Sequence, residues 1–94
     1  VLYGAGDVGK AYYRQLSTKE DVRVVLWVDA AWENYVGTSF HVNRVSDIEK
    51  KIYDMVLVAV SKETLYLSIK DGLLRHGIPA EKIIWKKPQH PYKC

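Results

Sequence analysis

The stretch VLYGAGDVGKAYYRQL, residues 1–16, decides how the rest of the chain is read. Its first three residues are an apolar run that ends on glycine, the pattern of a buried strand. Three glycines follow at positions 4, 6 and 9, and then Val8, Ala11, Tyr12 and Leu16 recur at helical spacing, with Lys10, Arg14 and Gln15 left for solvent. A strand that turns through glycines into a helix brings free N–H groups and a positive dipole end to one point. That point suits an anion, yet Asp7 stands where an anion would approach.

The remaining chain supplies partners for this unit. VRVVLWVD, residues 22–29, is rich in β-branched residues with apolar side chains on both alternating faces, as expected for a parallel strand covered on both sides. AAWENYVGTS follows as a loop, and FHV, residues 40–42, is read as a short edge strand. Ser46 and Glu49 have capping-box spacing, so SDIEKKI is expected to form a short helix burying Ile48 and Ile52. YDMVLVAV, residues 53–60, is the next strand, with Ser61 leading into a helix as its cap or as a ribose contact. That helix carries Leu65, Ile69 and Leu73 at i, i+4 and i+8, with Gly72 on the same face to permit close packing on the sheet. It should stop at RHGIP, with Gly77 as a left-handed cap and Pro79 blocking continuation. KIIW supplies the last strand, and the proline-containing tail carries no regular element.

The order of elements gives an α/β fold: a doubly wound parallel sheet of about five strands in order 3-2-1-4-5, in three α/β/α layers. With 94 residues and 48% hydrophobic content, the chain fits one compact domain over residues 1–87, with 88–94 as a polar tail. The charged fraction of 27% and net charge of +3 are ordinary for a soluble protein, and no apolar run reaches the ~18 residues of a membrane span. Neither membrane insertion nor nucleic-acid binding is expected; Lys82, Lys86, Lys87 and Lys93 read as a solvated surface or linker. The single cysteine, Cys94, excludes an internal disulfide framework, and with no secretory signal pattern a reducing cytoplasm is the expected compartment. Because Val1 already lies within a strand, the sequence reads as a segment of a longer polypeptide.

In a doubly wound sheet, ligands sit beyond the carboxyl ends of the strands where strand order reverses. Gly4 would make the tight turn, Gly6 the close approach to phosphate and Gly9 the close packing of helix on strand, with Ala5, Asp7 and Val8 completing the loop. Asp29 closes the second strand about 20 residues further on, where a carboxylate accepts hydrogen bonds from ribose hydroxyls and disfavours a 2′-phosphate. Its competing role is to cap the turn after the strand. Ala30, Val60 and Ser61 complete the candidate rim. Asp7 either caps the helix, competing with a pyrophosphate for its donors, or points to solvent and leaves them free. Trp32 is placed to stack on an adenine or to pack over the loop. His41, His76 and His90 are scattered, and only His90 with Cys94 approaches metal-ligand spacing, so no metal site is expected. No serine or cysteine has a recognisable base partner, and neither Tyr12 nor Tyr13 begins a Tyr-x-x-x-Lys arrangement.

Together, VLYGAGDVGKAYYRQL, VVLWVD, YDMVLVAV and LLRHGIPAEKII resemble the small Rossmann-type NAD(P)-binding domains of bacterial cell-surface saccharide biosynthesis proteins. Such domains precede nucleotide-sugar dehydratase domains or are attached to sugar acetyltransferases and glycosyltransferases. The resemblance spans residues 1–85 and implies a dinucleotide, NAD rather than NADP, or a nucleotide-sugar held around Gly4, Gly6, Gly9 and Asp29. Asp7 and the bulky Trp27 depart from the pattern, since a small residue is common at the latter position. The implied partners are other domains of a parent chain, and the domain would not be catalytic alone. Two other readings stand beside this one: a ligand-free interaction domain, associating as a homodimer, and a fragment of an S-adenosylmethionine methyltransferase, which would require an antiparallel final hairpin.

Overall fold

The structure, a computed structural model, describes residues 1–86. Within them β1 (Leu2–Tyr3), α1 (Asp7–Ser17), β2 (Trp27–Val28), β3 (Val56–Val58), α2 (Glu63–Arg75) and β4 (Ile83–Ile84) form an α/β unit, with short 3₁₀ turns in the connections. The strands make one all-parallel sheet in the order β2-β1-β3-β4. Leu2 pairs with Trp27 on one side and Leu57 on the other, and Val56 pairs with Ile83. Strand order reverses at β1, so the crevice between the carboxyl ends of β1 and β3 is the switch point.

Side chains alternate between two apolar layers. Leu2, Trp27 and Ala59 pack with Val8, Tyr12 and Leu16 of α1. Tyr3, Val28, Val56 and Val58 pack on the opposite face with Ile69 and Leu73 of α2 and with Ile48. Each strand is therefore covered on both faces, which is why the strands read as continuous apolar runs.

The sheet has four strands among the described residues, where the sequence predicts about five. The expected edge strand 40–42 is reduced to a single parallel bridge between Val28 and Asn43, one residue beyond it. Phe40 and Val42 both pack on the α1 face, and the Asn43 side-chain amide turns back to donate to the Trp27 carbonyl. The segment thus folds over the layer beside β2 instead of extending along it. The second strand is also shorter than expected, since residues 22–26 lie outside any ladder.

The expected helix at SDIEKKI is a 3₁₀ turn, Val45–Lys50, capped by backbone alone at Arg44, so Ser46 and Glu49 form no capping box. Three residues per turn align Val45 with Ile48, which is buried, and leave Ile52 outside at 97% exposure. In α2 the inward stripe is Tyr66, Ile69 and Leu73, of which Leu73 is buried and the other two partly so; Leu65 is about half exposed, and a Cβ at Gly72 would meet nothing within 4 Å. The rotation follows from Tyr66 stacking on Trp85 beside β4, ring centroids 4.7 Å apart and planes 11° from parallel. Ser61 does not cap α2; Lys62 precedes it, with no side-chain cap. The other end matches expectation. Gly77 has φ +85°, its N–H donates to Leu74, and the Ile78 N–H donates to Leu73, the paired bonds of a Schellman stop. The tail 88–94, with His90 and Cys94, lies outside the described residues.

Leu73→Ala should cost about 2–5 kcal/mol of stability, whereas Leu65→Ala should stay within about 0.5 kcal/mol. Gly72→Ala should stabilise by roughly 0.5–1 kcal/mol, since a helix-interior glycine with open space above it has only backbone entropy to lose. Urea denaturation of the three variants measures all three values.

Candidate functional site

The glycine loop lies at the switch point because helix and strand meet there without side chains between them. Gly4 has φ +120°, and a Cβ on it would come 2.7 Å from the Ala59 carbonyl oxygen at the end of β3. A Cβ on Gly9 would run into the Gly4 carbonyl, so α1 can cross the end of β1 this closely only with glycine there. Gly6 is the opposite case. It is exposed, its φ is −75°, and a Cβ on it would meet nothing within 4 Å.

The loop's polar groups are held from β2 and the segment that follows it. The Trp27 indole N–H donates to the buried Gly4 carbonyl at 2.6 Å. Asp29 uses both carboxylate oxygens: one accepts from the Ala5 N–H at 2.7 Å, the other from the Ala31 N–H at 2.7 Å. It therefore caps the turn after β2 and also ties that turn to the glycine loop. The Tyr35 hydroxyl donates to the Ala5 carbonyl at 2.8 Å. Ala5 is thus fixed through both its peptide groups.

Beyond Ala5 the loop is open. Asp7 opens α1 and is exposed, and no side chain caps the helix. Among the described residues the N–H groups of Gly6, Asp7 and Val8 have no hydrogen-bond acceptor, as is general for the first turn of an uncapped helix. Asp7 thus leaves the donors of this turn free instead of filling them. Val8 packs its side chain into the α1 layer.

The remaining expected rim residues are more dispersed. Ala30 is exposed in the turn that Asp29 caps. Val60 packs with the α2 layer, and its carbonyl accepts from the Trp85 indole at 2.9 Å. Ser61 is exposed between β3 and α2. The Trp32 ring faces the Arg44 guanidinium at 5.8 Å. Tyr3, at the end of β1, has its phenol pushed above the usual range by burial and then by the Asp29 carboxylate. Among the described residues no three His, Cys, Asp or Glu side chains come together as a metal-holding group, and no helix is long and apolar enough to cross a membrane.

An aromatic layer supports the loop from the α1 side. Tyr13 stacks on Trp27 at 4.4 Å, Phe40 meets the Trp27 ring edge-on at 5.7 Å, and the Lys10 ammonium sits over Phe40 at 4.9 Å and near Tyr35 at 5.6 Å. Lys10, expected to face water, is drawn in by these rings. Trp27 and Tyr35 are the residues that sequence reasoning missed. The signal for Trp27 was an indole inside a continuous apolar strand, whose N–H requires an acceptor when buried.

A model of the C2185-like N-terminal domain family matches residues 1–84. The chain belongs to that family. No curated protein and no solved structure matches it. The C2185-like domain thus combines a parallel α/β sheet with a glycine loop fixed at Ala5 and open at Gly6.

Because the Gly4 carbonyl is buried, Trp27→Phe should cost about 1–3 kcal/mol even though a ring remains to stack on Tyr13. Trp85→Phe, whose Val60 acceptor is only partly buried, should cost less. Equilibrium unfolding of the two variants gives the comparison.

Proposed function

We propose that this domain is a nucleotide-binding module that takes a dinucleotide, NAD in preference to NADP, or a nucleotide-sugar, within a larger bacterial surface-saccharide biosynthesis protein. It supplies binding and no catalysis of its own. The observation that carries the reading is the uncapped first turn of α1, with unpartnered N–H groups at Gly6, Asp7 and Val8 and open space where a Gly6 side chain would stand. A pyrophosphate in that space receives backbone donors and the positive end of the helix dipole. Asp29 is held at the edge of the same loop, and each of its oxygens keeps a lone pair for a ribose hydroxyl. Its charge also opposes a 2′-phosphate.

A second reading, a ligand-free interaction domain, is favoured by a different observation. Asp29 and Tyr35 already satisfy Ala5, and Leu65 and Leu67 of α2 are about half exposed. The methyltransferase reading gains nothing from the sheet, whose pairings among the described residues are all parallel.

Calorimetric titration with NAD, NADP and a uridine diphosphate sugar distinguishes the first two. The wild-type protein should bind NAD more tightly than NADP. Gly6→Ala should weaken binding by about tenfold or more with an unchanged melting temperature, because its methyl occupies ligand space and touches no protein atom. Asp7→Ala should tighten binding several-fold by removing a like charge. Absence of heat with every ligand in both wild type and Asp7→Ala would leave the interaction domain as the account of this fold.

A further inference from the structure

Polar aromatic side chains around the carboxyl end of the sheet donate to backbone carbonyls. The Trp27 indole donates to Gly4, the Tyr35 hydroxyl to Ala5 and the Trp85 indole to Val60. Tyr3 departs from this pattern. It closes β1 directly before Gly4 and is 9% exposed, the only buried tyrosine among the described residues. Its ring packs in the α2 layer with Val28, Val58 and Ile48. Its hydroxyl has no hydrogen-bond partner among the described residues. No sealed side-chain oxygen or nitrogen among them lacks a partner, so the small exposed part of Tyr3 includes that hydroxyl.

Asp29 is the charged group beside this hydroxyl. Tyr3 pairs in register with Val28, and Asp29 is the next residue along β2. The Asp29 charge adds to burial in pushing the phenol above its usual range, so the phenol keeps its proton at neutral pH. It is a donor with no acceptor, next to a carboxylate that can only accept. Asp29 does not take that proton: its two oxygens receive the Ala5 and Ala31 N–H groups instead. A phenylalanine would fill the apolar space equally well, so packing accounts for the ring and leaves the oxygen without a role.

We propose that Tyr3 is a specificity residue of the nucleotide site, whose hydroxyl acts with the Asp29 carboxylate to hold the vicinal diol of the ligand's ribose. One ribose hydroxyl donates to Asp29, and the other accepts from the Tyr3 O–H. A vicinal diol supplies on adjacent carbons the donor that the carboxylate takes and the acceptor that the phenol lacks. A phosphate would suit the phenol and be repelled by Asp29; an ammonium would suit Asp29 and offer the phenol nothing. The inference rests on the nucleotide-binding reading and adds to it the group that tells a complete ribose from one missing a hydroxyl.

The test titrates wild type, Tyr3→Phe and Gly6→Ala with NAD and with its adenosine 2′-deoxy and 3′-deoxy analogues. Tyr3→Phe should weaken NAD binding roughly 3- to 10-fold, the worth of one neutral hydrogen bond. Its melting temperature should be unchanged or slightly raised, because no protein acceptor loses a bond. Wild type should bind both analogues more weakly than NAD, whereas Tyr3→Phe should bind one of them as tightly as NAD. In the wild-type protein the ζ-carbon NMR signal of Tyr3, assigned by its loss in Tyr3→Phe, should shift when NAD is added. Equal NAD affinity for wild type and Tyr3→Phe, with Gly6→Ala weakened, would overturn this inference and leave the nucleotide site standing. So would a Tyr3→Phe protein that rejects both analogues as wild type does. A ζ-carbon signal unmoved by saturating NAD would overturn it even if Tyr3→Phe folds poorly. Absence of heat from wild type with NAD would overturn the nucleotide reading and this inference with it.

Discussion

The fold turns on a contact that admits no side chain: the Gly9 backbone lies against the Gly4 carbonyl, and Gly4 itself against the Ala59 carbonyl. With that contact α1 starts directly over the end of β1, and its layer closes on Leu2, Ala5 and Trp27. A methyl group at Gly9 would force helix and strand apart and open the interior that both bury. The same contact removes the Gly4 carbonyl from solvent, so it needs a donor from within the protein. The Trp27 indole provides it.

Much of the remaining architecture serves that junction. Trp27 brings a large ring into the α1 layer, and Tyr13, Phe40 and Lys10 arrange themselves around it. Asp29 accepts from the Ala5 N–H, in the same peptide group as the Gly4 carbonyl, and Tyr35 donates to the Ala5 carbonyl in the next. Trp85 acts in the same way at the end of β3, with its ring on Tyr66 and its N–H on the Val60 carbonyl. Two indoles therefore staple two strand ends from opposite layers of the sheet. Rigidity up to Ala5, followed at once by an uncapped helix turn, is the arrangement that a preorganised anion site requires, since no donor must be freed or moved on binding.

The strands, both helices, the glycine turn and the acid closing β2 were all legible in the sequence, because each follows from local periodicity or from a glycine at a strand end. The errors fall where three-dimensional packing outweighs local pattern. Ile52 reads as a buried helix residue only if the helix has 3.6 residues per turn, and the segment winds at three. Leu65 and Gly72 share a face by spacing, but stacking of Tyr66 on Trp85 turns α2 so that Gly72 meets open space. Residues 40–42 have strand composition, yet Phe40 and Val42 pack on the α1 layer and only Asn43 bridges to β2. At the glycine loop, sequence placed Asp7 and Asp29 as the acids of interest and left their division of labour open. Asp29 takes the backbone donors and Asp7 none. Tyr35 carried no sequence signal, since its role depends on a 3₁₀ turn that folds back over the loop.

The division of the loop into a fixed half and an open half is the central claim, and amide hydrogen exchange measured residue by residue by NMR tests it most directly. The Ala5 amide, bonded to Asp29, should be protected close to the level of the sheet, while the amides of Gly6, Asp7 and Val8 should exchange as open groups and gain protection when NAD is added. An Ala5 amide that exchanges as fast as its neighbours would contradict the account, as would protection across Gly6, Asp7 and Val8 in the protein alone.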